Sequence, residues 1–594
     1  MRSASLRLSF ALLLTALPLG CGGATPTAAS AQATSSAHAG APAHARFVAF
    51  SDKFIHEMLA QSPTTATELG SHDFDDRWDD VSGNGDAATL KWIESTLAEL
   101  ATFSATLEGD DRDDASIVTS YLEWTRFDLT DTRDRERTPM YYTTLIGKGL
   151  DPLLTRDFAP FELRMTSLRG RLLGIPAIVA AARRRLAHSP RVATETAIEQ
   201  TKGLIGLCDG ELPEAKAKLP KADQATFEVA RHAASTALHD FQNFLQIDLL
   251  ARSDGSFRAG KDSFTKIVRY TLNDPTLDPD ALVKDAREAM VDARAQMLAT
   301  AQELWPTIMT GPMPQPKTEA DKRAMIKAVL DKLAEEHSTD ATIVNDAKKV
   351  LADATAFVKA KDLVSLPTEP CDVIEMPEYK RGVAMAYCES SGALEAKPQT
   401  FVAIAPPPAD WPQARRDSQY REDNTSMLSD LLVHEAMPGH YLQLMHMNHG
   451  SDRLRSLLQD GAFIEGWAVY GEWLMAKYGF GGPKVRMQRL KMLLRSATNT
   501  VLDHETHAGQ MEEKDALAMM MNEGFQEEGE AVGKWRRARL SKGQLSSYFY
   551  GYREMVKMRE RAEKLPGFTE RTYHDKLLAL GSPPMRIARD KMAQ

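Results

Sequence analysis

Apolar residues recur three and four positions apart through most of the chain, in stretches rich in Ala, Leu, Lys and Glu with few β-branched runs. That spacing gathers apolar side chains on one face of a 3.6-residue helix, so the body is predicted to be mainly α. Clear examples run from Ala281 to Leu304, from Glu319 to Glu336 and from Lys514 to Leu540. Asp278-Pro279 opens the first and Thr318 the second, residue types that suit helix starts. No fixed-period repeat is visible. The pattern breaks between Val364 and Pro412. There the prolines, the run Phe401-Val402-Ala403-Ile404-Ala405 and then Pro406-Pro407-Pro408 predict a short strand and loop near a cleft.

The pattern is most informative just after this break. Asn424-Thr425-Ser426 supplies capping side chains, and Met427, Leu428, Leu431 and Leu432 form an apolar stripe. A buried helix then delivers His434-Glu435-Ala436-Met437-Pro438-Gly439-His440 inward. Two neutral imidazoles and a carboxylate suit zinc, which accepts nitrogen and oxygen ligands and keeps a position for water in a catalytic site. Glu435, beside the first histidine, is the candidate for taking that water's proton.

Zinc peptidases usually space their histidines four apart, about one helical turn, so that both rings share a face. Here the spacing is six. At about 100° per residue, a regular helix would turn the second ring roughly 120° away from the first. Pro438 lacks an N–H and Gly439 tolerates unusual dihedrals, so a local bulge could return His440 to the metal side. The other possibility is that the helix ends at Met437 and His440 approaches from a turn. The third ligand is expected on a second helix. Phe463, Trp467, Tyr470 and Leu474 make its apolar stripe, and Glu465 and Glu472 share another face, with Gly466 and Ala468 small enough for close helix approach. Glu465, 25 residues after His440, is the expected ligand and Glu472 its rival.

The N-terminus changes where this chemistry is expected. Arg2 and Arg7, an apolar stretch from Leu8 to Leu19 too short to span a bilayer, and Gly20-Cys21 read as an export signal over residues 1–20. Leu17-Pro18-Leu19-Gly20-Cys21 looks like a bacterial lipoprotein cleavage site, with Pro18 where an aliphatic residue is usual. Ordinary cleavage nearby and an uncleaved anchor are the alternatives, and each leaves the protein outside the cytoplasm. Residues 21–44, rich in Ala, Ser, Thr, Gly and Pro, read as a flexible tether, and residues 45–594 as the helical domain. Some 550 residues exceed what one compact core usually holds, so two lobes or an elongated body are expected. The formal net charge of −10 becomes −12 once Arg2 and Arg7 are removed. An acidic chain with no basic cluster disfavours nucleic acid as a partner. Of the remaining cysteines, Cys371 and Cys388 could close a disulfide loop in an oxidising compartment, or stay free with Cys208.

His434 to Gln443, read as HEAMPGHYLQ, and the EGWAVYGEW segment after it closely resemble the bacterial family catalogued as domain of unknown function 885. Further matching residues are Pro63, Leu69-Gly70, Asp76-Arg77, Asp79-Asp80, Asp503, His507, Gln544, Tyr548, Gly551, Tyr573-His574-Asp575, Gly581 and Pro584, which cover essentially the whole mature chain. The resemblance implies a large, two-lobed, zincin-like helical body with a deep channel, similar to neurolysin-type oligopeptidases, and metal-dependent hydrolysis of peptides. By position, His434, His440 and Glu465 would bind zinc and Glu435 would be the general base. Tyr548, His507 and, more weakly, His574 would be donors to the transition-state oxyanion. Core packing is the alternative role for Tyr548, and helix capping or surface exposure for the two histidines. Lys534-Trp535 and Lys542-Gly543-Gln544 depart from the family's Arg-Tyr and Pro-Gly-Gln, and the region near Tyr387-Cys388 is altered too, so substrate preference is not carried over.

The expectation is therefore a lipid-anchored zinc metallopeptidase of the periplasm or outer membrane. Two rivals remain. One is a catalytically silent or metal-binding envelope lipoprotein using His434, His440, His446 and His449. The other is a zinc hydrolase of non-peptide amides or esters.

Overall fold

The computed structural model describes residues 42–376, 386–390, 392–395, 400–408, 411–448, 450 and 453–593. The export signal, Cys21, most of the tether and His449 lie outside them.

The described residues are mainly helical, with one small sheet. Local caps start the helices where the side chains allow it. Asp278 accepts from the Asp280 amide at the head of the helix Pro279–Ile308, and Thr318 with Asp321 closes a capping box on Glu319–Leu333. The continuous helix expected from Lys514 to Leu540 is instead two, Glu513–Asn522 and Glu528–Leu540. Gly524 returns its amide to the Met519 carbonyl and Phe525 adopts φ 53°, which ends the first helix.

Three apolar clusters hold the helices. One joins Ala43–Gln61, Gly83–Ala101 and Gly109–Phe127, and includes Leu454, Leu457 and Leu458 from far along the chain. A second fills the bundle Pro139–Thr155, Phe161–Arg185, Arg191–Gly206 and Lys221–Asn243. The third and largest runs from Phe264 to Ala588 and surrounds the histidine motif. Strands β1 (Asp372–Glu375), β2 (Ala386–Ser390) and β3 (Thr400–Ile404) form a sheet in the order β1-β3-β2, parallel between β1 and β3 and antiparallel between β2 and β3. The expected strand is thus β3, and two partners join it. Cys208, Cys371 and Cys388 are free thiols. No helix among the described residues is long and apolar enough to cross a membrane.

Candidate metal centre

Asn424 caps the helix Thr425–Glu435, its Oδ1 accepting from the Ser426 and Met427 amides at 3.2 Å. Leu428 and Leu432 are fully buried, which fixes the helix's rotation and turns His434 inward. The helix stops at Glu435. Ala436 and Met437 both donate to the Leu432 carbonyl, the Met437–Pro438 peptide is cis, and the Gly439 amide folds back to the Val433 carbonyl at 2.9 Å. A Cβ at position 439 would stand 1.8 Å from the His434 carbonyl oxygen, so only glycine allows this turn. A new helix, His440–Asn448, begins at the second histidine. The spacing of six is therefore accommodated by a break and a turn, not by a bulge in one helix.

The helix Gly461–Lys477 faces this turn. Phe463, Trp467, Tyr470 and Leu474 are fully buried, and the Trp467 indole donates to the Pro438 carbonyl at 2.7 Å. Glu465 Oε2 then lies 3.6 Å from His434 Nε2 and 3.6 Å from His440 Nε2. The two rings stand nearly perpendicular, 89° apart, with centroids separated by 4.8 Å. Seven residues on, Glu472 accepts from His434 Nδ1 at 2.7 Å. The two carboxylates of one helix face thus take opposite nitrogens of a single imidazole.

This arrangement fits a divalent metal. His434, His440 and Glu465 are the group whose ligand atoms converge, all within 4.8 Å of one another. Four tetrahedral ligands at about 2.0–2.1 Å from zinc stand roughly 3.3–3.4 Å apart, close to the two 3.6 Å edges. Donation of Nδ1–H to Glu472 leaves the His434 Nε2 lone pair for a metal, the usual outer-shell device. Glu465 Oε2 is buried with no hydrogen-bond partner among the described residues. His440 departs from the pattern, because its Nδ1 is buried and also without a partner among them.

With only the protein's own charges acting, the site is frustrated. Burial disfavours charge on His434, yet Glu465 and Glu472 hold its pKa well above the ordinary histidine range. Burial and the neighbouring His434 charge push His440 down to about 4. Burial would raise Glu465, but the two histidines keep it below the usual carboxylate range. Glu435 is pushed up to about 7 by burial and by Glu465 and Glu472, against His434 and the Cys388 amide. The proton held on His434 balances part of the negative charge, a task a dication would perform more fully.

Glu435 reaches the site from the end of its helix, and Oε2 accepts from the Cys388 amide of β2 at 2.9 Å. Tyr548 packs against the main core, and its pKa is raised by burial and by the Glu465 carboxylate, while Arg537 and Gln544 beside the phenol oppose the shift. The helix Ser547–Ala562 carrying Tyr548 crosses the Glu465 helix at Gly466 and Gly551. A Cβ at 551 would lie 1.9 Å from the Ala462 carbonyl oxygen and 2.7 Å from the Gly466 Cα.

The two remaining histidines have other partners. His507 Nε2 lies 2.7 Å from the Ala538 and 2.8 Å from the Ser541 carbonyl oxygens, and its ring stacks on Phe264. His574 is fully buried, with Nδ1 at 2.7 Å from the Leu363 carbonyl and Nε2 at 2.7 Å from the Tyr470 hydroxyl. Both brace helices around the site and neither joins the converging group. His446 Nε2 is engaged with the Ser365 carbonyl at 2.7 Å. Sequence reasoning did not single out Arg537 or Arg495, and it marked Lys534 and the Cys388 region only as departures from the family pattern; their relation to the site is made by tertiary contact alone.

No functionally curated protein matches the chain. Solved structures do, among them two that are each described as a putative lipoprotein. One, of unknown function, from Shewanella oneidensis, is 31% identical with a TM-score of 0.80, over 92% of this chain and 100% of that one. The other, from Colwellia psychrerythraea, is 15% identical with a TM-score of 0.74, over 93% of this chain and 98% of that one, and shares the fold. The family model described as "Bacterial protein of unknown function (DUF885)" matches residues 63–592, and the chain belongs to that family.

Proposed function

We propose that this protein is a zinc-dependent hydrolase of peptide bonds in the cell envelope. The observation that carries the reading is the convergence of His434 Nε2, His440 Nε2 and Glu465 Oε2 beside a carboxylate, Glu435, anchored among the described residues by one oxygen only. Zinc held there supplies a Lewis acid for the scissile carbonyl and makes water more acidic. The Cys388 amide fixes Glu435 Oε2 and leaves Oε1 to accept the proton of an attacking water and return it to the leaving amine. The Tyr548 phenol donates to the oxygen on which negative charge develops. A peptide as substrate is supported by β2, among the described residues an outer strand of its sheet, whose Cys388 amide meets Glu435, since extended chains pair with sheet edges.

Export and anchoring at Cys21 belong to the same proposal, supported by the residues around that cysteine and by the lipoprotein descriptions of the two solved relatives. So does a two-lobed, zincin-like body with a channel, supported by two N-terminal apolar cores separate from the one around the site. Engagement of His446 by a carbonyl weighs against metal storage by a histidine cluster.

The test is Glu435→Gln. Bound zinc is expected to stay at one per chain while kcat/KM on a peptide library falls about 1000-fold, within the range for general acid–base groups. Retained metal with unchanged cleavage refutes the assignment.

A further inference from the structure

Next to the metal triad the structure holds a second, basic constellation built by helices distant in sequence. Lys534 and Arg537 lie one turn apart on Glu528–Leu540, and Arg495 of Gly482–His507 approaches Lys534. Lys534 is nine-tenths buried at 9% exposure, and no ion pair or hydrogen bond of its ammonium is found among the described residues. Arg537 donates Nη2 to Gln544 Oε1 at 2.8 Å, has no carboxylate in ion-pair contact among the described residues, and buries its Nε without a partner. Arg495 pairs with Glu530.

The nearby carboxylates are otherwise committed. Glu422, which also faces Arg495, is paired with Lys491 at 2.8 Å. Asp503, which faces Arg537, accepts from the Gly543 amide and the Ser546 hydroxyl at 3.1 Å. Asp423, on the Arg495 side, is pushed up to about 7 by burial and by Glu422. Glu465 acts on Arg537 from the triad side, and a bound metal would claim it. Glu530 acts on Lys534 but is already paired with Arg495, so among the described residues the cations facing the site outnumber the carboxylates left to answer them, in a chain whose net charge is −10.

The geometry points to a carboxylate-binding subsite formed by Arg537 and Lys534, oriented by Gln544 and bordered by Tyr548, which holds a carboxylate of the substrate beside the scissile bond. Burying cations in excess of their counter-ions is costly, and an arriving carboxylate offsets that excess. Lys534 shows that cost, since burial together with Arg495 and Arg537 drives its pKa well below the ordinary lysine range, against Glu530. The helix crossing places the subsite beside the triad: Gly551 meets Gly466, the neighbour of Glu465, and Arg537 donates to Gln544 just ahead of the same Tyr548 helix. The carboxylate has two possible sources, the α-carboxylate of a peptide's C-terminus or an acidic side chain.

The inference rests on the peptidase reading, and its test separates the two. Zinc-loaded, full-length protein is assayed on matched peptides. In one arm the C-terminus is a free acid or an amide. In the other, each Glu or Asp is present or replaced by Gln or Asn. Neutralising the recognised carboxylate is expected to lower kcat/KM about 30- to 100-fold, mainly through KM, and the arm that responds identifies the source. In Arg537→Gln and in Lys534→Met that ratio is expected to shrink towards one. Cleavage of all peptides at equal rates by the unmodified protein, or a ratio that survives both substitutions, overturns the subsite and leaves the hydrolase reading standing. If no peptide is cleaved, the hydrolase reading fails alone, and calorimetric binding of the same peptides to the Glu435→Gln protein decides the subsite: tighter binding of the carboxylate form supports it and equal binding overturns it.

Discussion

Replacing Glu472 by Gln asks whether the second carboxylate on the Glu465 helix sets the metal-binding nitrogen of His434. Glu472 is 2% exposed and accepts from His434 Nδ1 at 2.7 Å, a length typical of a charge-assisted bond. Gln keeps the shape and can still accept, so the loss is the difference between a charged and a neutral hydrogen bond, about 1–1.5 kcal/mol. That corresponds to roughly tenfold weaker metal binding, the lower end of what outer-shell partners contribute. Asp430 explains why the loss stops there. It is buried beside this pair, and burial and the Glu472 charge hold its pKa well above the carboxylate range, against Arg489 and His434. Neutralising position 472 removes one of the two causes that keep Asp430 protonated, and the expected outcome is that Asp430 ionises and keeps one negative charge near His434. Asp430→Asn alone should therefore change zinc affinity less than threefold, and the double variant should lose about 100-fold, more than the singles combined. Competition of each protein with a chromophoric zinc chelator at neutral pH measures all four corners of the cycle. Zinc affinity unchanged in Glu472→Gln, or strict additivity across the cycle, refutes the reasoning.

Two further outcomes concern stability. Gly551→Ala forces backbone apart where the Glu465 and Tyr548 helices cross, because its Cβ would meet the Ala462 carbonyl oxygen at 1.9 Å. A loss of about 1–3 kcal/mol is expected in denaturant titrations, with weaker zinc binding alongside, and an unchanged midpoint refutes it. His72 stacks on Phe158 with centroids 3.6 Å apart and links Asp75 to Glu395; burial opposes its charge, but the two carboxylates raise its pKa from 6.5 to about 9. A raised folded pKa stabilises fully below about pH 6.5 and is lost as pH climbs through about 9. The stability gap between the unmodified protein and His72→Gln should therefore narrow from pH 6 to pH 9.5, and a constant gap refutes the role.

What the sequence disclosed follows how local each cause is. Asn424, Thr318 and Asp278 act on amides two or three residues away, so their helix starts were readable from the chain alone. Glu465 was readable because Phe463, Trp467, Tyr470 and Leu474 mark the buried side of its helix and the histidines supply the reason for an inward acid. The turn between the histidines was not decidable, because the need for glycine at 439 arises from its contact with the His434 carbonyl, which exists only after the chain has folded back. Gly524 did carry a helix-ending signal that the charge-rich stretch from Lys514 to Leu540 obscured. The same stretch hid Arg537 and gave Lys534 only as a departure from the family pattern: cations on a polar helix read as solvated, and the excess of positive charge around them depends on Glu530, Glu422 and Asp503 being engaged with other partners. His507 and His574 fail in the opposite direction. Their positions mark them as special, but a buried imidazole satisfies carbonyls as readily as it serves chemistry, and here Ala538, Ser541 and Leu363 arrive from other helices and loops to take them. A motif therefore identifies the residues that must be buried and polar, while the partner each one finds in three dimensions decides whether it braces the site or works in it.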